Sequence, residues 1–423
     1  MRSRSLSKLI WGNLAAQSAE QTAIAAALIV AVLALGGGAG TTGLIQAAQT
    51  LPFLVFAIPA GVLADRLSRR ALLISAEALR AAALLVILAL LVLDLLTWPL
   101  LALLGLLAGC STVVYNVAAP SIVPSLVAPQ ALGAANSRIE LARTVAFAAG
   151  PALGGALIGW AGPAAAFGFA TALSVCALAF LAGLEEPRRP AAPPRRLRGE
   201  IREGARFVFR HPLLRSIFAT TFVFNMAMFV LLSAFVPYAV RSLGLSSQGV
   251  GAVLGTYGAG MVVGALLARV VLRSIPFGIV VAIGPVCGLM AALVMTLTIA
   301  LPWPALAAAS FFLFGAGPIL WVISTTTLRQ MITPPQLLGR VSAIHILAQG
   351  ARPLGAGLGA LIGAIYGAET CLVVAAIGFA LQAALIVLSP VPRFTGQTVS
   401  RRGQGQSLPS GPRLPPRGAP PAR

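Results

Sequence analysis

Apolar residues fill the chain in long unbroken runs, separated by short stretches where charge and proline collect. Each run reaches about 20 residues, the length at which a helix crosses roughly 30 Å of hydrocarbon. Twelve runs are read, approximately Leu9 to Leu35, Thr42 to Ala64, Ala71 to Leu93, Trp98 to Ser121, Asn136 to Trp160, Pro163 to Leu184, Leu213 to Val240, Val250 to Val271, Ile275 to Ala300, Trp303 to Leu328, Val341 to Tyr366 and Thr370 to Leu388. They are continuous rather than alternating, which predicts membrane-spanning helices and not barrel strands. Polar residues recur inside them at helical spacing. Asn13, Gln17 and Glu20 share a face of the first span, Asn136, Glu140 and Arg143 a face of the fifth, and Ser342, His345, Gln349 and Arg352 a face of the eleventh.

Between the sixth and seventh spans lies EEPRRPAAPPRRLRGEIREGARFVFRHP, whose prolines cannot continue a helix and whose later part can form an amphipathic one. This divides the chain into an N-terminal segment (1–8), a first six-helix bundle (9–184), a basic linker (185–212), a second six-helix bundle (213–390) and a tail (391–423). The tail lacks the apolar content for a core and is expected to be disordered. The bundles read as copies of one another. LIWGN at Leu9 matches SIFAT at Ser216, GVLADRLSRR at Gly61 matches GALLARVVLR at Gly264, PQALGAANS at Pro129 matches PQLLGRVSA at Pro335, and ALIG recurs at Ala156 and Ala360.

Composition agrees: 423 residues at 58% hydrophobic and a mean hydropathy of +0.93 leave too little polar surface for a soluble globule. The net charge of +20 raises the question of a nucleic-acid partner, and the placement of the charge answers it. With the N-terminus inside, 25 of the 30 basic residues fall on the inner side and only Arg241 falls on the opposite side. That is the positive-inside pattern, so both termini are expected in the cytoplasm, the location is the cell membrane, and no nucleic acid is expected as partner. The basic tail suits contact with membrane lipids. The start MRSRSLSK with its apolar run resembles a secretory signal, but Asn13, Gln17 and Glu20 make it too polar, and it is read as an uncleaved first span. Cys110, Cys176, Cys287 and Cys371 stand isolated in apolar segments and are expected to be packing residues, with no metal site and no cofactor. There is no G-x-x-x-x-G-K-[ST] loop, so a gradient is expected to supply any energy.

Gly61, Leu63, Ala64, Asp65, Arg66, Arg69 and Arg70 resemble the G-x-L-A-D-R-x-G-R-[KR] loop of the major facilitator superfamily, departing from it at Ser68. The resemblance covers about residues 9–390 and implies an all-α membrane protein of twelve transmembrane helices in two pseudo-symmetric six-helix bundles. It also implies a gating role for the loop: Asp65 is expected to meet the start of the eleventh span near Thr333 to Leu338, and Arg66, Arg69 and Arg70 to bridge to neighbouring helix ends. GPALGG in the fifth span, with Gly150, Pro151, Gly154 and Gly155, looks like the core of the antiporter motif of exporting branches, although Ala146 stands where an earlier glycine is common. Proline bends a helix and glycines admit a close neighbour, so this segment is expected to serve as a pivot. WGNLAAQSAEQTA, LPFLVFAIPAGVLADRLSRR and PSLVAPQALGAANS look like the branch that holds enterobactin exporters and macrolide-efflux proteins. Many antiporters of the superfamily carry an arginine in the fourth span. Here Trp98 to Ser121 has none, leaving Arg143 or Arg352 as substitutes or a different coupling.

Ionisable groups in a bilayer cost about 2.5–3.5 kcal/mol each, so they tend to face a cavity and have work there. Glu20 is the first choice for proton coupling. Glu140 with Arg143 reads equally as cavity lining or as a fixed ion pair, Glu77 with Arg80 reads as a fixed pair, Asn116 is a further cavity candidate, and His345 reads equally as one or as a satisfied interior histidine. The expected function is proton-driven export of a small molecule such as a drug, siderophore or other secondary metabolite. Proton-coupled uptake is the nearest alternative, with a membrane-embedded enzyme or a non-transporting sensor less favoured.

Overall fold

The computed structural model describes residues 2–56, 59–60, 63, 67–128, 131–186, 197–334 and 337–394. Gly61, Asp65 and Arg66 of the loop motif, much of the proline-rich linker and the tail lie outside the described residues, as do Pro335 and Gln336 where Asp65 was expected to dock. The first half comprises α1 (Arg2–Leu33), α2 (Ala39–Val55), α3 (Arg69–Val92), α4 (Trp98–Leu126), α5 (Leu132–Ala161) and α6 (Pro163–Ala182). After the linker helix α7 (Leu197–Arg210) come α8 (Pro212–Arg241), α9 (Ser247–Ser274), α10 (Phe277–Leu297) and α11 (Pro304–Ile332). The chain then forms α12 (Leu338–Leu347), a 3₁₀ turn (Ala348–Gly350), α13 (Ala351–Tyr366) and α14 (Ala368–Val387).

Among the described residues ten helices are long and apolar enough to cross a membrane. The two remaining spans depart from a single long rod for separate reasons. Helix α2 is described over only 17 residues. The eleventh span, expected as one helix, is divided at the 3₁₀ turn. Pro353 has no N–H to give to the carbonyl of Gln349, and Gly350 supports a helix poorly, so the ladder tightens one turn ahead of the proline.

The internal repeat reaches the backbone. Gly162 (φ 83°) joins α5 to α6 and Gly367 (φ 85°) joins α13 to α14, both in the left-handed region that only glycine occupies freely. The corresponding turns after α1 and α8 also carry such glycines, Gly36 (φ 66°) and Gly244 (φ 64°). Within the first half α1 packs on α5 and α6, and α3 on α4 and α6; within the second α11 packs on α9 and α10, and α8 on α13 and α14. Between halves α2 meets α13 and α5 meets α9, so the second helix of each half lies against the fifth of the other. These crossings are tight. A Cβ on Gly43 would lie 2.7 Å from the Ala360 Cα, and one on Gly155 would lie 2.8 Å from the Gly251 Cα. Glycine on the crossing lets the backbones approach without a hydrophobic drive between helices. The GPALGG segment thus faces two ways: Gly150 and Gly154 press on Gln21 and Thr22 of α1, and Gly155 on α9.

The face carrying the N-terminus of α1 and the end of α14 is here called the termini face. At the far face Trp98, Trp160, Trp303 and Tyr366 are all exposed, as an aromatic belt at a membrane boundary requires. At the termini face, the carbonyls ending α6 are capped by cations, Lys8 Nζ to Gly183 O (2.7 Å) and Arg70 Nη2 to Ala182 O (2.6 Å). Helix α7 docks on α12 through Val208, which clusters with Val341 and Ile344 of α12 and Leu214 of α8, and through an ion pair between Glu203 and Arg340.

Candidate functional site

A cavity of about 310 Å³ lies between the halves. Helix α1 brings Glu20 and Gln21 to it, α2 brings Gln46, Gln49, Thr50 and Phe53, and α3 and α4 bring Arg80 and Thr112. Phe147 of α5, Asn225 and Phe229 of α8, Tyr257 of α9 and Arg352 of α13 complete the wall that matters chemically. The lining is mostly aromatic and aliphatic with a few amides and two charged poles, the usual make-up of a small-molecule site.

The first pole is a three-member charge cluster. Arg80 Nη2 lies 3.2 Å from Glu20 Oε2, and Arg80 Nη1 lies 2.8 Å from Glu77 Oε2. The guanidinium also donates to the Ala16 carbonyl (3.3 Å) and the Thr112 hydroxyl (3.2 Å) and lies 5.6 Å from the centroid of the Tyr115 ring. Glu77 receives the Ser174 hydroxyl on its other oxygen. Side-chain exposures are 11% for Glu20, 2% for Arg80 and 0% for Glu77, so only Glu20 meets the cavity with its acid. Two carboxylates share one guanidinium. With both ionised the cluster holds one uncompensated negative charge away from water, and one proton neutralises it.

The second pole comes from the other half. Arg352 Nε donates to Asn225 Oδ1 (3.0 Å), and its guanidinium lies 5.0 Å from the ring of Phe53 in α2 and 5.7 Å from that of Phe229. One cation therefore contacts both halves at the cavity wall. No arginine occupies the fourth span, as the sequence states. Among the described residues two buried cations of α3 meet α4, Arg69 at Ser121 near its end and Arg80 at Thr112 and Tyr115 in its middle.

The other expected residues separate. Asn13 and Gln17 are buried outside the lining, and Asn13 is occupied by the carbonyl of Ile139 (3.4 Å), so the polar face of α1 serves helix packing in its first turns and the cavity only from Glu20 onward. Glu140 and Arg143 form an ion pair (Nε to Oε2, 3.0 Å) that is half-exposed and outside the lining, one turn below Phe147. Asn116 is exposed, and His345 and Gln349 are partly buried on the divided span; none of the three lines the cavity. The break at Ala348–Gly350 takes the polar face of that span out of line, leaving Arg352 alone at the wall. Gln46, Gln49, Asn225 and Tyr257 were not singled out from the sequence. The amides at 46 and 49 have helical spacing in an apolar run, and Asn225 interrupts one, which is the signal they gave.

Further joints close the far side of the cavity. Arg241 Nη2 donates to the carbonyls of Gly36 (3.2 Å) and Gly37 (2.9 Å), the Thr42 hydroxyl to Ser233 O, and the Gln46 amide to Leu232 O (3.0 Å), every one of them between halves. On the termini side Asn116, Glu140 and Ser342 are exposed. The joints between the halves thus lie toward the far face, and the exposed polar residues toward the termini face.

The described part of the loop motif acts within the first half. Arg69 Nη1 donates to Ser121 O. Glu186 accepts the Ser68 hydroxyl (2.6 Å) and the backbone N–H groups of Arg69 (3.1 Å) and Arg70 (3.0 Å), capping α3. Burial alone raises the Glu186 carboxyl, but the Ser68 hydroxyl and the Arg70 and Arg69 amides outweigh it and hold the group below the usual carboxylate range. The serine that departs from the family loop is thus a cap, its own oxygen accepting from Ala71 N (3.2 Å).

A family model described as Transmembrane secretion effector matches residues 8–408. An uncharacterized MFS-type transporter, y4rN of Sinorhizobium fredii (strain NBRC 101917 / NGR234), is 31% identical over 257 residues, 57% of this chain; the chain spans 60% of that relative's length. Among solved structures, the nucleoside transporter NupG superposes at TM-score 0.72 with 13% identity over 91% of this chain and 98% of that one. A bacterial homolog of the human lysosomal transporter Spinster, inward-facing and unoccupied, gives 0.70 with 16% identity over 94% and 98%. A D-xylose-proton symporter gives 0.70 with 13% identity over 90% and 96%. At these identities the structures speak for the fold alone. The matched family covers nearly the whole chain, and the protein is a multi-pass membrane protein of the major facilitator superfamily, belonging to the family described as Transmembrane secretion effector.

Proposed function

We propose that this transporter exports a medium-sized, partly apolar small molecule in exchange for protons, with the termini face in the cytoplasm. The observation that carries the reading is Glu20, the one acid of the buried cluster that reaches the cavity, held by an arginine that a second acid also claims. Cargo with a hydrogen-bond donor or cationic group competes with Arg80 for Glu20, and so does a proton. Mutually exclusive binding at one carboxylate is the condition for antiport. The two halves then tilt about the glycine crossings of α5 with α9 and α2 with α13, breaking the far-face joints as the termini side closes.

Export is favoured over uptake by the description of the matching family and by the GPALGG segment on the α5–α9 crossing. The positive charge at the termini face supports a cytoplasmic placement. Resemblance to the enterobactin-exporter and macrolide-efflux branch, together with the aromatic wall and its two opposite charges, supports a drug, siderophore or other secondary metabolite as cargo.

Everted membrane vesicles test the direction. With a panel of fluorescent dyes outside and an acid interior, the exporter concentrates at least one dye inside, and a protonophore abolishes the gradient. Dye accumulation that instead requires an alkaline interior supports uptake symport and overturns the proposal.

A further inference from the structure

We propose that the exposed face of α7 is a binding site for the headgroups of anionic phospholipids. Arg210 ends α7 and Pro212 begins α8, so a single residue separates the linker helix from a membrane span. That connection is too short to carry the end of α7 away from the membrane boundary. Phe209, 51% exposed, meets Phe218 of α8 edge to face at 5.2 Å, and Phe218 stacks on Phe222 at 6.4 Å, which ties α7 to the first turns of the span. An exposed aromatic at that depth is an interfacial anchor.

Arg202, Arg206 and Arg210 recur every fourth residue on the side that carries Phe209 and are exposed. Among the described residues no hydrogen bond or ion pair occupies these three arginines. The opposite side is committed, with Gly204 and Val208 buried against α12, and on the flank between Glu203 pairs with Arg340. A helix with one face fixed to the protein and a row of cations beside an exposed ring at the membrane boundary is complementary to a plane of phosphodiesters, a surface that soluble polyanions do not reproduce. Because α7 is docked on α12, which precedes the divided turn and Arg352, headgroup binding acts on the half that carries the cationic pole of the cavity. The proposal depends on α8 crossing the membrane and not on the cargo or on proton coupling.

Native mass spectrometry of the full chain in neutral detergent tests it, titrating phosphatidylglycerol or phosphatidylcholine. Wild type retains phosphatidylglycerol in preference to phosphatidylcholine. The triple variant R202Q/R206Q/R210Q weakens phosphatidylglycerol retention on the order of 100-fold, while R202K/R206K/R210K keeps it. Unchanged retention in the glutamine variant overturns the site. So does an equal loss in the lysine variant, which would trace the effect to packing and not to charge. Displacement of the lipid by an equal concentration of inorganic phosphate also overturns it, because the face would then be a free-anion site.

Discussion

Glu20 and Arg80, 60 residues apart in the chain, meet at 3.2 Å on the wall of a cavity lined by both halves. The contact joins α1 to α3 at the point where the buried pair Glu77–Arg80 reaches open space. Through Glu20 a buried ion pair opens onto the cavity.

Removing Arg80 leaves two neighbouring carboxylates without their shared cation. Arg80→Gln is expected to lower stability by about 3–5 kcal/mol, the range for breaking a buried pair. Glu77→Gln with Arg80→Gln restores part of that loss, and thermal unfolding of purified variants measures the coupling.

The far-face joints are expected to set how long the cavity stays shut on that side. Arg241→Gln removes the donors to Gly36 and Gly37 and is expected to raise the population open to the far face by roughly fivefold or more. Labelling of Ser233→Cys, in a background with the four native cysteines replaced, reads this as a faster reaction with a membrane-impermeant thiol reagent.

The α5–α9 crossing has no room for a side chain at Gly155. Gly155→Val would press a Cβ into the Ser247 carbonyl oxygen, well inside van der Waals contact, and force the halves apart. Transport is expected to fall below about a tenth of wild type at a stability cost of about 1–3 kcal/mol. Dye efflux and thermal unfolding, measured together, distinguish a blocked crossing from a lost fold.

Glu186 predicts a pH effect outside the membrane. Its carboxyl is held below the usual range in the folded chain, so its contribution is present above the unfolded-state carboxylate range and is lost as pH falls through the lowered folded value. Glu186→Ala is expected to cost about 1 kcal/mol at neutral pH, as for other helix caps, and to reduce the acid dependence of unfolding. Unfolding midpoints of wild type and variant across acid pH check both.

The spans, the duplication and the position of Glu20 were legible because hydrophobic run length and helical spacing are local properties of the chain. The partner of Glu20 was not: Glu77 and Arg80 announce themselves as an i, i+3 pair, and nothing local says that α1 crosses that pair. Asn13 shares a helical face with Glu20, yet the cavity begins above it, because α5 covers the first turns of α1. The break in the eleventh span hides in an apolar run where Gly350 and Pro353 act only together. Several other spans carry proline inside a continuous helix, as α5 does at Pro151.

Dye accumulation in everted vesicles at an imposed proton gradient, compared between wild type and Glu20→Gln, tests the antiport site most directly. The variant is expected to lose more than nine-tenths of gradient-driven accumulation while still exchanging dye for dye across the membrane without a gradient. Accumulation by Glu20→Gln at the wild-type rate and with the wild-type pH dependence would contradict the assignment of Glu20 as the carboxylate shared by proton and cargo.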